Sequence, residues 1–131
     1  MARPASEHPT ELELLILKIL WDRSPLPVRD VRQALAAGGR EAAHTSVITT
    51  LNTMVHKKLL RRRRDGKAYL FSPRVEQQAV RQRMLGDVVD RLFDGSAAAV
   101  MLSLFDRADL KPDELSQLRQ FVDRKSREKS G

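Results

Sequence analysis

Residues 44–71 constrain the fold of this chain most strongly, because the spacing of their side chains changes from helical to alternating within one short stretch. In the first half, one face of a helix is apolar and consists of Val47, Leu51, Met54 and Val55. After Leu60 the side chains alternate, and Asp65-Gly66 stands where a tight type I′ hairpin turn is expected. The stretch therefore predicts a helix followed directly by a β-hairpin.

The opposite face of the predicted helix carries short polar side chains. They are Thr45, Ser46, Thr49, Asn52, Thr53 and His56. Short side chains let a helix approach base edges closely, hydroxyls bond to bases or phosphates, and Asn can pair with adenine. We therefore predict that this face contacts duplex DNA. The alternative is that Thr45 and Ser46 only cap the helix, and that the others are ordinary surface residues.

The predicted hairpin and the residues just before it carry many positive charges. Residues 57–64 contain six Lys or Arg, and one more follows across the turn. From this cluster we predict that DNA phosphates are bound by Lys57, Arg62, Arg63, Arg64 and Lys67. On the return strand Tyr69 and Phe71 share one face, which predicts that both pack on the helices. A basic run is often only a solvated surface, but here it directly follows a helix with the pattern of a recognition helix.

Two further helices are predicted before this stretch. Thr10-Glu11-Leu12-Glu13 fits a capping box that starts a helix reaching about Trp21, and Pro25 excludes its continuation. Leu26-Pro27-Val28 predicts a short edge strand, and residues 28–37 a second amphipathic helix that ends at Gly38-Gly39. Three short helices and a hairpin in about 65 residues are the winged helix-turn-helix arrangement.

The remaining residues predict helices over 75–93, over 97–105 and from about Pro112, followed by a frayed basic tail from Arg124. Together they are too small for a good independent domain, so we expect a second copy of the chain to cover their apolar stripes. The predicted dimerisation residues are Val88, Leu92, Val100, Met101, Leu104, Leu115, Leu118 and Val122. The predicted fold is thus mainly α-helical with a small hairpin wing, in three parts: a flexible arm (1–9), a winged-helix DNA-binding domain (10–73) and a helical dimerisation domain (74–131).

The charge distribution agrees with this division. Residues 1–74 hold 14 Lys or Arg against 7 Asp or Glu, whereas residues 75–131 hold 10 of each. The net charge of +7 therefore lies in the part that contains the predicted helix and wing. This predicts a polyanion as the partner of the first part.

Several classes of function are disfavoured. The chain has no cysteine, and its three histidines lack the spacing of a metal site; nor is there a glycine-rich phosphate loop or a Gly-x-Ser-x-Gly motif. We predict no enzymatic activity and no cofactor. The sequence has no signal peptide and no apolar run long enough to cross a bilayer, which predicts a cytoplasmic, nucleoid-associated protein.

Two segments resemble the BlaI/MecI-type penicillinase repressors. The opening ELELLILKILWDRSPLPVRDV is similar to that family's helix-ending Trp and Pro-Val turn, and HTSVITTLNTMVHKKLLRRRRDGKAYLFSP to its recognition helix and wing. The resemblance extends from Glu11 to about Lys125. It implies a homodimeric transcriptional repressor that binds a palindromic operator in double-stranded DNA.

The resemblance also implies how repression is relieved. In the best-known members a membrane-embedded sensor protease causes cleavage of an Asn-Phe bond in the fifth helix. Ser103-Leu104 stand at the matching position here, so they are the candidate cleavage position and a sensor protease is a candidate partner. Copper-responsive relatives use a cysteine hook, which this chain lacks. The alternatives to a DNA repressor are a basic RNA- or ribosome-associated protein and a winged helix that binds protein.

Overall fold

The helices of this chain are of two kinds. In the first three, the apolar side chains are buried against other parts of the chain, whereas in the last two they are exposed. A computed structural model describes residues 8–130. Its elements are α1 (Glu11–Asp22), α2 (Val28–Ala37), α3 (His44–His56), β1 (Leu60–Asp65), β2 (Ala68–Pro73), α4 (Gln77–Leu92), α5 (Ala97–Arg107) and α6 (Pro112–Ser130). This mainly helical chain with one antiparallel hairpin is the predicted fold class.

The core of the first unit is aliphatic apart from one ring. Its buried side chains are Ile16, Leu17, Leu20, Val31, Leu35, Val47, Leu51, Met54, Leu59, Leu60 and Phe71. They come from α1, α2, α3 and the hairpin, so the apolar stripes predicted for the three helices meet one another as expected for a winged helix. Trp21 packs at the edge of this core, and its Nε1 donates a hydrogen bond to the Val75 carbonyl oxygen at 2.9 Å.

Local signals at the start of the chain form as predicted. The Thr10 hydroxyl accepts from the Glu13 backbone N–H at 3.2 Å, and the Glu13 carboxylate accepts from the Thr10 N–H at 2.8 Å, which completes the capping box of α1. Leu26 exchanges two backbone hydrogen bonds with Phe71, at 3.0 and 2.8 Å, and so adds the predicted edge pairing to β2.

Three local predictions were wrong. Neither Thr45 nor Ser46 caps α3, because the helix begins one residue earlier and its N-cap is Ala43, which has no side-chain acceptor. The hairpin turn is Gly66-Lys67 and not Asp65-Gly66, since Asp65 still pairs with Ala68. Positive φ at the first central position alone, +63° at Gly66, fits a type II′ turn.

The third wrong prediction is the frayed tail. The segment after Arg124 continues α6 to Ser130, because most of its residues are good helix formers. Arg127 and Lys129 also stand in the last turn, where their positive charges interact favourably with the helix dipole and stabilise the helix. Of the predicted flexible arm, residues 1–7 lie outside the described part of the chain.

The chain divides into two compact units, one ending at Gly86 and one beginning at Asp87. The boundary therefore lies inside α4, thirteen residues after the predicted boundary at Pro73. The reason is that the first turns of α4 belong to the first unit: Val80 is buried there, and Val75 packs on its core.

Candidate nucleic-acid interface

The two faces of α3 have opposite environments. The inward residues Val47, Leu51 and Met54 have no exposed surface. The outward residues are all exposed, and they are Thr45, Ser46, Thr49, Asn52, Thr53 and His56. The structure thus brings every predicted contact residue of this helix onto one accessible polar surface, which we call the reading face.

The C-terminal end of α3 is fixed to α1 by an ion pair. Lys57 Nζ lies 3.0 and 3.1 Å from the two carboxylate oxygens of Glu13, a side chain that is only 3% exposed. Sequence reasoning placed Lys57 among the phosphate contacts, but here its ammonium neutralises a buried carboxylate. The two residues are 44 positions apart, so no local pattern could have paired them.

The link between α3 and the hairpin is short and closed by backbone hydrogen bonds. The Leu59 N–H donates to the Met54 carbonyl at 2.9 Å, and the Lys58 N–H donates to the Val55 carbonyl at 3.0 Å. This is the Schellman motif, with Lys58 in the left-handed position (φ +66°) that glycine usually occupies. Leu59 and Leu60 then enter the core, which anchors the base of the wing.

The four consecutive arginines of β1 separate onto the two faces of the hairpin. Arg64 pairs with Tyr69 and Arg62 with Phe71, so these four residues share one face. Arg61 and Arg63 lie on the other face, and all four arginines are exposed. Alternation alone predicts this division. What it does not predict is which face meets α3, and the burial of Phe71 decides that the face of Arg62 does.

Arg62 is held by two partners. Its Nη1 donates to Asn52 Oδ1 at 2.7 Å, and its guanidinium carbon lies 4.6 Å from the centre of the Tyr69 ring. Arg64 approaches the same ring at 5.7 Å and donates from Nε to the Gly66 carbonyl at 3.3 Å. Tyr69 was expected to pack on the helices with Phe71. Only Phe71 does so, because Tyr69 lies two residue pairs nearer the turn, where arginines cover its ring.

The electrostatics of this region favour a polyanion. Residues 44–73 carry seven Lys or Arg and a single acid, Asp65. The basic side chains from Arg61 to Arg64 and at Lys67 are all exposed on the hairpin that follows α3. A surface of this kind attracts phosphates and steers a duplex toward the helix.

The second unit exposes its apolar side chains. In α5 and α6 none of the described residues is buried. Of the eight predicted dimerisation residues, Val100 is partly exposed, and the exposed ones are Val88, Leu92, Met101, Leu104, Leu115, Leu118 and Val122. Leu102, Phe105 and Phe121, which sequence reasoning did not include, are equally exposed and carry the same apolar character.

The candidate cleavage position, Ser103-Leu104, lies within α5, and both side chains are exposed. Among residues 8–130 the structure has no group of three or more His, Cys, Asp or Glu placed to hold a metal ion. None of the helices in that part of the chain is long and apolar enough to cross a membrane.

Comparison with known proteins identifies the family. The family model of the penicillinase repressors matches residues 9–124. This chain belongs to the penicillinase repressor family. The transcriptional regulator BlaI of Mycobacterium tuberculosis strain H37Rv is 30% identical to it over 114 residues, which cover 86% of this chain and 80% of BlaI. The methicillin resistance regulatory protein MecI of Staphylococcus aureus strain N315 is 25% identical over 111 residues, covering 84% and 89%.

A solved structure supports the fold. Bordetella bronchiseptica BpsR, described as a protein whose DNA binding is regulated by 6-hydroxynicotinic acid, superposes with a TM-score of 0.50 at 18% identity, over 93% of this chain and 83% of that one. The family comprises transcriptional repressors that bind DNA, so the predicted function class and the prediction that the chain is not an enzyme are confirmed.

Proposed function

We propose that two copies of this repressor bind one palindromic operator, each with α3 in a major groove and its wing on the adjacent phosphates. The observation that carries this proposal is the contrast between the two faces of α3. Its inner residues are fully buried, so the helix is firmly seated, while its outer residues are short, polar and exposed. A helix with these properties can enter a major groove and reach base edges without disturbing the core.

The tip of the wing supplies affinity rather than sequence reading. Arg63, Arg64 and Lys67 are exposed around the hairpin tip, and His56 is exposed at the C-terminal end of the reading face, next to the base of the hairpin. Each cation that neutralises a phosphate releases counterions, so binding weakens as the salt concentration rises. Lys57 is not included among these contacts, because Glu13 already neutralises its charge.

The exposed apolar surface of the second unit supports a homodimer. Met101 is 56% exposed and Leu104 52% exposed in a single chain, and Leu115 and Leu118 of α6 are also open to solvent. An accumulation of large exposed apolar side chains of this kind in a repressor indicates an interface. A second copy presents the same surface, and two-fold pairing of like surfaces is the commonest closed assembly.

Dimerisation provides the mechanism of repression. Two heads held in fixed positions read half-sites separated by about 34–36 Å or a multiple of it, so that both reading faces meet the same side of the duplex. A promoter covered in this way is closed to polymerase by occlusion. A repressor acts where the DNA of the cell lies, so the proposed location is the cytoplasm, at the nucleoid.

Release from the operator is proposed to involve the second unit. A sensor protease acting on Ser103-Leu104 would meet that bond in the middle of α5. Because a helix fixes the backbone of this bond in hydrogen-bonded turns, local unfolding of α5 would have to precede cleavage. Cleavage there would remove α6 from the dimer and separate the two heads.

The test of DNA binding uses salt. We expect the variant with Arg63→Ala and Arg64→Ala to bind all duplexes more weakly. The slope of log K against log salt should become shallower by about 2 per head, because each phosphate that a cation neutralises adds roughly 0.9 to it. Arg127→Ala with Lys129→Ala, in the last turn of α6, removes the same charge far along the chain and should leave the slope unchanged.

Competition distinguishes the alternatives. Duplex DNA carrying the selected site should displace the protein at concentrations where structured RNA does not. Preference for structured RNA, or an unchanged salt slope in the double wing variant, would contradict the proposal.

A further inference from the structure

We propose that Arg62 reads a guanine in each half-site, positioned by Asn52 and by the ring of Tyr69. This inference rests on the proposed function, since it requires α3 to enter the major groove. It assigns base recognition to an arginine of the wing, whereas the sequence alone places that arginine among the phosphate contacts. The residues involved come from three different elements, α3, β1 and β2.

The first step is the direction of the side chain. Arg62 lies on the face of the hairpin that turns toward the helices, and its Nη1 donates to Asn52 Oδ1 at 2.7 Å. Asn52 is an exposed residue of the reading face. The guanidinium is therefore bonded to the surface that enters the groove, whereas Arg61 and Arg63 project from the opposite side of the hairpin.

The second step is the orientation of the guanidinium plane. Its carbon lies 4.6 Å from the centre of the Tyr69 ring, a distance typical of a cation resting on an aromatic ring. This contact with the ring face does not use the N–H groups as hydrogen-bond donors, so those not bonded to Asn52 stay available. A side chain held in this way has already lost much of its rotational freedom, so less entropy is lost when it binds a base.

The third step concerns the N–H donors. A guanidinium has five N–H groups in a planar fork, and Asn52 accepts from one of them. A pair of N–H groups remains for two acceptors in one plane, and in the major groove guanine offers such a pair at O6 and N7. An open groove of about 640 Å³, lined in part by Asn52, Arg62, Lys67 and Tyr69, leaves room for a base edge between α3 and the hairpin.

The contact also changes the role of Asn52. Pairing with adenine requires Oδ1 to accept from the adenine amino group while the amide nitrogen donates to N7. Here Oδ1 already accepts a charge-assisted hydrogen bond from Arg62. Asn52 therefore acts chiefly as a positioning residue for Arg62.

The experiment begins with selection of the preferred site from a randomised duplex library by the full-length wild-type protein. Each guanine of that site is then replaced in turn by 7-deazaguanine, which keeps base pairing but removes the N7 acceptor. We expect one guanine per half-site at which this replacement lowers wild-type affinity by about 5- to 150-fold, the range for removing one acceptor and leaving its donor unpaired.

Variants assign that guanine to Arg62. Arg62→Ala should bind the native and 7-deazaguanine sites equally. Arg62→Lys keeps the positive charge but should show a smaller penalty than wild type, because an ammonium lacks the planar fork of the guanidinium. Tyr69→Leu and Asn52→Ala should each reduce the penalty. Tyr69→Phe should retain it, because the aromatic ring is kept. In the Arg62→Ala protein, adding Asn52→Ala should have no further effect on the penalty. Arg63→Ala is the matched control: it should weaken binding to both sites alike and retain the penalty.

The failures of the two proposals are distinguishable. If wild type selects a site but Arg62→Ala weakens all duplexes uniformly and retains the 7-deazaguanine penalty, Arg62 is a phosphate contact and this inference is overturned. If wild type selects no duplex site, the proposed function fails and this inference fails with it. Fluorescence of Trp21, the single tryptophan, verifies that each variant has a native first unit.

Discussion

The first and second units are built from amphipathic helices of similar pattern, yet they treat their apolar residues in opposite ways. In α1, α2 and α3 the stripe is covered within the chain, and Leu20, Val31 and Leu51 have no exposed surface. In α5 and α6 the stripe is open, and residues such as Leu102 and Val122 are more than 60% exposed. Helical periodicity thus predicts that a face needs covering, but not which molecule covers it.

Because the two units differ in how their apolar side chains are buried, they should differ in what stabilises them. The first unit gains its stability from burial within one chain, which does not depend on protein concentration. The second unit can bury its apolar surface only against something else, so its stability should depend on protein concentration. The following predictions test this contrast, beginning with the largest effect.

Leu51→Ala should lower the free energy of unfolding of the first unit by about 2–5 kcal/mol, because it leaves a cavity at a fully buried position. Urea unfolding followed by Trp21 fluorescence measures this unit, since Trp21 packs against its core. Leu118→Ala, at a residue that is 39% exposed in the second unit, is the control and should change the same transition by less than about 0.5 kcal/mol. Equal losses would mean that the two units unfold as one.

Leu104→Asp should raise the dissociation constant of the proposed dimer by at least about 100-fold, because its interface would have to bury an unpaired carboxylate. Sedimentation at micromolar concentration measures the change, and the Trp21 transition should stay the same. Ser103→Asp adds the same charge at the neighbouring exposed position of α5 and should leave the dimer intact. A Leu104→Asp protein that remained dimeric would remove this surface from the interface.

Lys57→Ala should lower the free energy of unfolding by about 1–3 kcal/mol, because the Glu13 carboxylate would stay buried without its cation. Adding Glu13→Gln should recover part of this loss. Lys58→Ala, at an exposed neighbour, serves as the control. The salt dependence of DNA binding should not change in Lys57→Ala; a slope shallower by about 1 would instead return Lys57 to the phosphate contacts.

Much of the first unit could be predicted because its signals are local. The capping box at Thr10, the stripe of α3 and the alternation of the wing each depend on residues close together in the sequence, and all three are present in the structure. The positions of the exposed polar residues of α3 follow from the same stripe, since a helix that buries one face exposes the other.

Other features could not be predicted because a residue distant in the sequence decides them. Lys57 is neutralised by Glu13 of α1, and Arg62 is held by a helix residue and by Tyr69 of the opposite strand. The end of the first unit was placed too early because Val80 looks like any other member of an amphipathic stripe, and only the fold buries it. Charge predicted that the wing is basic, but not which arginine lies next to the helix.

The Schellman closure at Lys58 separates two properties that a repressor needs. It joins α3 to the wing through backbone hydrogen bonds to Met54 and Val55, and none of the exposed residues of the reading face takes part in it. In the proposed complex, substitutions at Thr45 or Thr49 would therefore change the contacts of the helix with the groove without moving the wing or weakening the core. In such a scaffold, single substitutions at exposed positions can change the operator preference, while the contacts of the wing with the DNA backbone stay the same.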